Sequence, residues 1–262
     1  MDLEKITGQV CEMALKAGSY LAEETGKLKE TDIEVKSAHN YVTYVDRRSE
    51  AMLIEGLRHI LPGTGFIAEE NPSLPTRELN WIIDPLDGTT NFIHGVPVFS
   101  ISIALLEGSE VISGVVLEVN SKECFYTWKD SPSFLNGKSI HVSAAERLED
   151  SLFATGFPYY DYSRMDAYLN FFRYMMVHSR GVRRLGSAAA DLAYVACGRF
   201  DGFYEYGLSP WDVAAGVLLV KNAGGVVCDF SGGQNILFGK EIIAANPLVY
   251  KPFFSAFRGN FK

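Results

Sequence analysis

Three features of the chain predict a mixed α/β (α+β) protein: an apolar stripe at helical spacing near its start, a run of strand signals from about residue 65, and strands alternating with helices from about residue 151. The two patterns meet near residue 145, which predicts an N-terminal half at 1–145 and a C-terminal half at 146–262. With no Pro/Ser-rich linker between them, the halves are expected to form one integrated unit with a cleft at the join.

Leu3, Ile6, Val10, Met13, Ala17 and Leu21 put one apolar face along an opening helix. A second helix is expected over 46–60, with Leu53, Leu57 and Ile60 inward and Leu61-Pro62-Gly63 stopping it. Short strands at Gly65–Ala68 and 81–84 precede longer ones at 99–107 and 111–119, joined by the turn Glu107-Gly108-Ser109-Glu110. A strand at 122–128 and the Asn136-Gly137 turn continue this antiparallel region. The second half reads as a strand at Leu152–Thr155, helices at 163–177 and 187–197, a strand at 200–205, a helix at 211–223 ended by Gly224-Gly225, and strands at 226–230 and Glu241–Ala245.

At 262 residues and 47% hydrophobic, the chain can bury a large core and is neither a disordered tail nor a mini-protein. A net charge of −8 with only two basic pairs, Arg47-Arg48 and Arg183-Arg184, argues against generic binding to a nucleic-acid backbone. No apolar run reaches the roughly 18 residues of a membrane span. Met1 to Glu12 lacks the basic and apolar regions of a secretion signal, and Cys11, Cys124, Cys197 and Cys228 match neither a zinc knuckle nor a redox pair. A cytoplasmic protein with reduced cysteines is the expectation.

The stretch that carries chemistry is Trp81-Ile82-Ile83-Asp84-Pro85-Leu86-Asp87-Gly88-Thr89-Thr90-Asn91, an apolar strand running into two carboxylates, a glycine and two hydroxyls. Carboxylates three apart at a strand end can address one cation, the Leu86 carbonyl can join them as a hard oxygen ligand, and Gly88 permits a sharp turn. Backbone N–H groups at the start of a following helix suit phosphate. A solvent-facing turn with a helix cap explains Asp87 or Thr89 singly but not the whole set. Glu69-Glu70 ends an earlier strand, and because adjacent strand residues face opposite ways, only one of the pair can address a given site. Ser209-Pro210-Trp211-Asp212 is a helix start in which Asp212 is explained equally as a cap partner and as a ligand. Asp46, ahead of the second helix, has the same two readings. His39, His59, His94, His141 and His178 form no pair at metal-ligand spacing and are read as structural or exposed.

Taken together, Glu69-Glu70, Asp84 through Asn91, and Trp211-Asp212-Val213-Ala214-Ala215-Gly216 resemble the inositol monophosphatase family in order and separation. Val42 to Asp46, Arg183 to Ala189, Gly198-Arg199 and Ala223-Gly224-Gly225 add to the likeness, which covers nearly the whole chain. The resemblance implies a layered αβαβα sandwich, usually a homodimer, acting as a lithium-sensitive phosphatase of phosphate monoesters, inositol 1-phosphate foremost. It implies Glu69, Asp84, the Leu86 carbonyl, Asp87 and Asp212 as ligands to two or three Mg²⁺ ions, and Thr89, supported by Asp46, as the residue orienting the attacking water. It also implies Asp87 and the Gly88 and Thr89 amides around the phosphate, with Gly186, Ser187, Ala188 and Glu205 facing the alcohol. Departures are Ala68 in place of a common glycine, Asn40 where Asp is frequent, and a short segment from Asn71 to Asn80, part of a metal-site loop in relatives.

Rival readings remain. A haloacid-dehalogenase type phosphatase uses an Asp nucleophile, but its two acids stand two apart whereas Asp84 and Asp87 stand three apart around Pro85. Fructose 1,6-bisphosphate and 3′-phosphoadenosine nucleotides are rival substrates within the family. Thr90-Asn91 after Gly88-Thr89 resembles the inositol type. A non-enzymatic role as an RNA-polymerase-associated partner, as in some bacterial relatives, stands beside these.

Overall fold

The computed structural model describes residues 1–37, 40–71, 77–157 and 161–262; His39, the side chain of Asn40 and residues 72–76 of the short segment lie outside them. Helix α1 (Leu3–Glu24) starts where the Asp2 carboxylate accepts the Lys5 amide at 3.1 Å, and its apolar stripe buries Val10, Ala14, Ala17 and Leu21. Strands β1 (Ile33–Ser37) and β2 (Asn40–Thr43) form an antiparallel pair that leads into α2 (Tyr44–Ile60). This helix begins two residues before the expected Asp46. Thr43 is the cap, accepting the Val45 amide at 3.0 Å, so Asp46 falls inside the first turn as the returning member of a capping box.

Seven strands follow: β3 (Gly65–Ala68), β4 (Leu79–Asp87), β5 (Ser100–Glu107), β6 (Glu110–Glu118), β7 (Glu123–Trp128), β8 (Ser133–Leu135) and β9 (Lys138–Ile140). They pair in chain order into one sheet, with β3 parallel to β4 and every later pair antiparallel. A short helix, α3 (Thr89–His94), interrupts the run between β4 and β5. The second sheet has order β11-β10-β12-β14-β13, built from β10 (Leu152–Thr155), β11 (Gly181–Arg183), β12 (Gly202–Tyr206), β13 (Val226–Cys228) and β14 (Glu241–Ala245).

Four further helices complete the layers: α4 (Met165–His178), α5 (Ala188–Ala196), α6 (Pro210–Asn222) and α7 (Pro247–Asn260). Helices α1 and α2 cover one face of the seven-stranded sheet, α5 and α6 lie between the two sheets, and α4 and α7 cover the far face of the five-stranded one. This is an αβαβα sandwich. The period of two along each strand makes it possible: Ile101, Ile103 and Leu105 of β5 face α1 and α2, while Ala104 and Leu106 face the central helices. In β14, Ile242 and Ala244 face the centre and Ile243 and Ala245 the outer layer.

Apart from Asp191 and Asp212 in their first turns and Lys221-Asn222 at the end of α6, the central helices are apolar or small all round because they are covered on both sides. They sit unusually close to their neighbours: a Cβ on Gly114 of β6 would lie 2.9 Å from the Ala215 carbonyl, and one on Gly216 would lie 2.6 Å from Leu192 Cβ. Strands β1, β2 and β11 and helix α7 are elements for which the sequence raises no expectation. The signal for α7 is present, with Asn246 capping the Leu248 and Val249 amides at 2.9 Å and Val249, Phe253 and Phe257 buried at a spacing of four; Pro252 within it masks the helix. Helix α4 begins at Met165 rather than residue 163, and β13 stops at Cys228 rather than residue 230. No helix among the described residues is long and apolar enough to cross a membrane.

Candidate active site

Strand β4 carries Asp84 and Asp87 out of the core, and in a regular strand residues three apart would point to opposite faces. Here Asp84 pairs with Ser102 and Asp87 with Ser100, three residues of β4 against two of β5. The bulge at Pro85-Leu86 restores the phase and turns both carboxylates to one side. Proline suits the position because it has no N–H to give the ladder. Asp84 Oδ1 then accepts the Leu86 amide at 2.9 Å. Gly88 follows at φ 99°, and a Cβ there would lie 3.1 Å from the carbonyls of both Gly186 and Val98, so only glycine fits without strain.

Helices α5 and α6 start at the same place. Ser187 caps α5 and, with the Ala189 amide, donates to Asp87 Oδ2, both at 2.7 Å. Ser209 caps α6, and its amide donates to Asp212 Oδ2 at 2.7 Å in a reciprocal capping box. One oxygen each of Asp84, Asp87 and Asp212 lie within 4.8 Å of one another. Asp212 is therefore both cap and cluster member, and the two sequence readings are not exclusive.

Behind the cluster, Asp46 is fully buried, and its Oδ2 accepts the Thr43 amide at 2.8 Å and the Thr43 hydroxyl at 2.7 Å. Its Oδ1 faces Thr89 Oγ1 at 3.1 Å, and the Leu86 carbonyl lies at the same distance from that hydroxyl. Every other expected site residue lines one cavity of about 470 Å³: Glu69, Asp84, Leu86, Asp87, Gly88, Thr89, Gly186, Ser187, Ala188, Glu205 and Asp212. Both members of the acidic pair line the cavity and both meet Lys36 Nζ, Glu70 at 2.5 Å and Glu69 at 3.7 Å; the Glu70 amide also donates to Glu50 at 2.9 Å, and Glu69 feels Asp212. Glu69 stands outside the group of three at 4.8 Å.

The electrostatics follow from crowding acids in a dry place. Burial first, and then neighbouring carboxylates, hold Asp84 and Asp212 well above the usual carboxylate range. Burial lifts Glu69 to about 8 against the pull of Lys36, and Asp87 to about 6 against its Ser187 and Ala189 donors. Glu205 is likewise raised to about 8 by burial, with Arg184 opposing. None of His59, His94, His141 and His178 lines the cavity.

A family model for the inositol monophosphatase family matches residues 2–258. The chain belongs to the inositol monophosphatase family. It is 39% identical over 245 residues to an inositol-1-monophosphatase of Mesorhizobium japonicum, covering 93% of this chain and 92% of that one. It is 41% identical over 244 residues to the Nus factor SuhB of Pseudomonas aeruginosa, covering 91% and 90%. The solved structure of the Thermotoga maritima IMPase superposes with a TM-score of 0.87 at 37% identity, covering 95% of each chain. Family and fold together make this a phosphatase-type protein.

As an inositol monophosphatase family member, the chain offers its acidic cluster as the place for a metal. The donors fit a hard divalent cation: all are oxygens, Asp84 is buried with Asp87 and Asp212 half-buried beside it, and the carboxylates oppose one another's ionisation. Sequence reasoning did not single out Lys36, Tyr41, Arg184, Asp191 or Tyr206, all of which line the cavity. Asn91 lies within the quoted motif but has a mechanical task there, its Nδ2 donating to the Val98 carbonyl at 2.7 Å and the Leu185 carbonyl at 2.8 Å. For Asp191 a signal exists, the single acid in the otherwise apolar segment Ala188–Ala196.

Proposed function

We propose that this protein hydrolyses phosphate monoesters with Mg²⁺, two or three ions, and that myo-inositol 1-phosphate is its principal substrate. The observation that carries this reading is the meeting of Asp84, Asp87 and Asp212 within 4.8 Å beside the Thr89–Asp46 pair. Asp84, Asp87 and Asp212, with Glu69 and the Leu86 carbonyl, would hold the cations. Bound there, divalent cations supply positive charge that favours ionisation of water and offsets charge on the phosphate and the leaving oxygen.

The chain's own residues do the rest. Thr43 occupies Asp46 Oδ2, which leaves Oδ1 for the Thr89 hydroxyl. With that hydroxyl donating to Asp46, its lone pairs are free to accept a proton from the attacking water, and Asp46 takes up the hydroxyl proton in turn. Gly88 and Thr89 amides, at the start of α3, bind phosphate oxygens, with Asp87 alongside. As the bond from phosphorus to the ester oxygen breaks, that oxygen takes a proton from solvent water, and the alcohol departs towards Gly186, Ser187, Ala188 and Glu205, which line the cavity on the C-terminal side. The ligand-bearing segment falls in 1–145 and the Asp212 helix and alcohol side in 146–262, so catalysis uses both halves.

The similarity to an inositol-1-monophosphatase and the Thr90-Asn91 pair support inositol phosphate over fructose 1,6-bisphosphate or 3′-phosphoadenosine nucleotides. A lithium-sensitive cytoplasmic homodimer is the form this reading takes, on family grounds alone. A second reading, a transcription-associated partner, is favoured by the relative named Nus factor SuhB. Phosphate release from those three substrate classes, with Mg²⁺ and with chelator, tests the proposal. Mg²⁺-dependent turnover highest on myo-inositol 1-phosphate is expected; no turnover on any of them would leave the binding role.

A further inference from the structure

The alcohol side of the cavity holds a carboxyl that the site as described does not use. Asp191 stands in the first turn of α5, lines the cavity, and is 1% exposed. Its Oδ1 has no hydrogen-bond partner, and no hydrogen bond among the described residues holds the carboxyl in place. Its charged neighbours are Glu205, Asp87 and Arg184. Two acids against one guanidinium leave this wall with an excess of acceptors. A buried acceptor left unmatched is destabilising, and proteins retain few of them without a purpose.

Glu205 shows that space here is reserved for carboxylates: a Cβ on Gly156 would lie 1.9 Å from the Glu205 carboxyl, so residue 156 has no room for a side chain beside it. Asp191 lies just beneath the cavity surface.

Resting on the phosphatase reading, we propose that Asp191 is a specificity residue, accepting a hydroxyl hydrogen of the leaving alcohol beside Glu205. The cavity thereby selects polyhydroxylated alcohols over simple ones. A hydroxyl gives this cavity-lining carboxyl a donor, whereas a plain hydrocarbon ring gives it none. Sites built to hydrogen-bond a substrate group discriminate strongly against analogues lacking it, for that reason.

The test compares myo-inositol 1-phosphate with cyclohexyl phosphate, which has the same ring without free hydroxyls, in the full-length protein with Mg²⁺. For Asp191→Leu, which removes both acceptor oxygens at similar size, the inositol-to-cyclohexyl ratio of kcat/KM should fall on the order of tenfold relative to the parent. Most of the loss should be on the inositol side. Asp191→Asn keeps one acceptor and should fall between parent and Asp191→Leu. Both variants should melt no lower than the parent at neutral pH, because an unpaired buried acid has been removed. An unchanged ratio in Asp191→Asn and Asp191→Leu overturns the proposal. So does an equal loss on both substrates with a lower melting temperature, which marks a packing role. If Asp191→Leu fails to fold, the ratio in the isosteric Asp191→Asn decides. A parent that hydrolyses neither substrate defeats the phosphatase reading itself, a different outcome from any of these.

Discussion

Asp212 meets two demands with one carboxylate, closing the α6 capping box through Oδ2 while standing within 4.8 Å of Asp84 and Asp87. The two roles separate on substitution. Loss of a first-turn carboxylate costs about 0.3–1 kcal/mol at any metal concentration, whereas loss of a ligand shows only when Mg²⁺ is present. Asp212→Asn should therefore gain less melting temperature from Mg²⁺ than the parent and lose most of its kcat; equal gains across a Mg²⁺ titration would return Asp212 to a capping role. Thr89 offers a second separation. Its hydroxyl lies between Asp46 and the Leu86 carbonyl, so Thr89→Ala should lower kcat by a hundredfold or so, the usual order for a lost proton-transfer group, with little change in KM. Steady-state kinetics showing only a raised KM would remove Thr89 from water positioning.

At the scale of elements, the segment from Asp84 to Asn91 works because a bulge, a left-handed glycine and a short helix follow one another without a break. Gly88→Ala forces a side chain to φ 99° and towards two carbonyls at 3.1 Å, which should cost about 1–3 kcal/mol and displace Thr89. Chemical denaturation and turnover should both report it; a variant of parental stability and rate would show that the turn tolerates a Cβ. Much of this element was legible in the chain, since Asp, Pro, Gly and Thr each have few structural uses in that order. The bulge itself was not, because register depends on which residues of β5 stand opposite, here Ser100 and Ser102. Asp191 escaped notice for the converse reason: α5 reads as plain core, and a single acid within it becomes informative only once the helix start is seen against the cavity. Helix α7 was hidden by Pro252 although Asn246 signals its start.

For the whole molecule, the layering brings distant segments to one cavity, and specific bonds hold them there. Asn91 reaches the Leu185 carbonyl, Ser100 the Ser187 hydroxyl at 2.8 Å, and Ser102 the Trp211 carbonyl at 2.9 Å. Concentrating acids in this way has a global consequence. Glu69, Asp84, Asp87 and Asp212 all have folded pKa values above their unfolded ones, so their protonated forms favour the fold. That contribution is complete below the unfolded values near 4 and is lost as pH rises through about 6 for Asp87 and about 8 for Glu69. Metal-free protein should accordingly melt lower at pH 8 than at pH 5.5, and saturating Mg²⁺ should narrow the difference. Thermal melts independent of pH and metal would contradict the electrostatic picture. The most direct test of the site as a whole is phosphate release from myo-inositol 1-phosphate by chelator-stripped protein, before and after Mg²⁺ is restored, beside Asp87→Asn treated alike. Turnover should be absent without metal, return with Mg²⁺ in the parent, and stay absent in Asp87→Asn. Metal-free turnover, or an Asp87→Asn variant restored to the parental rate, would show that the Asp84, Asp87 and Asp212 cluster is not where the chemistry happens.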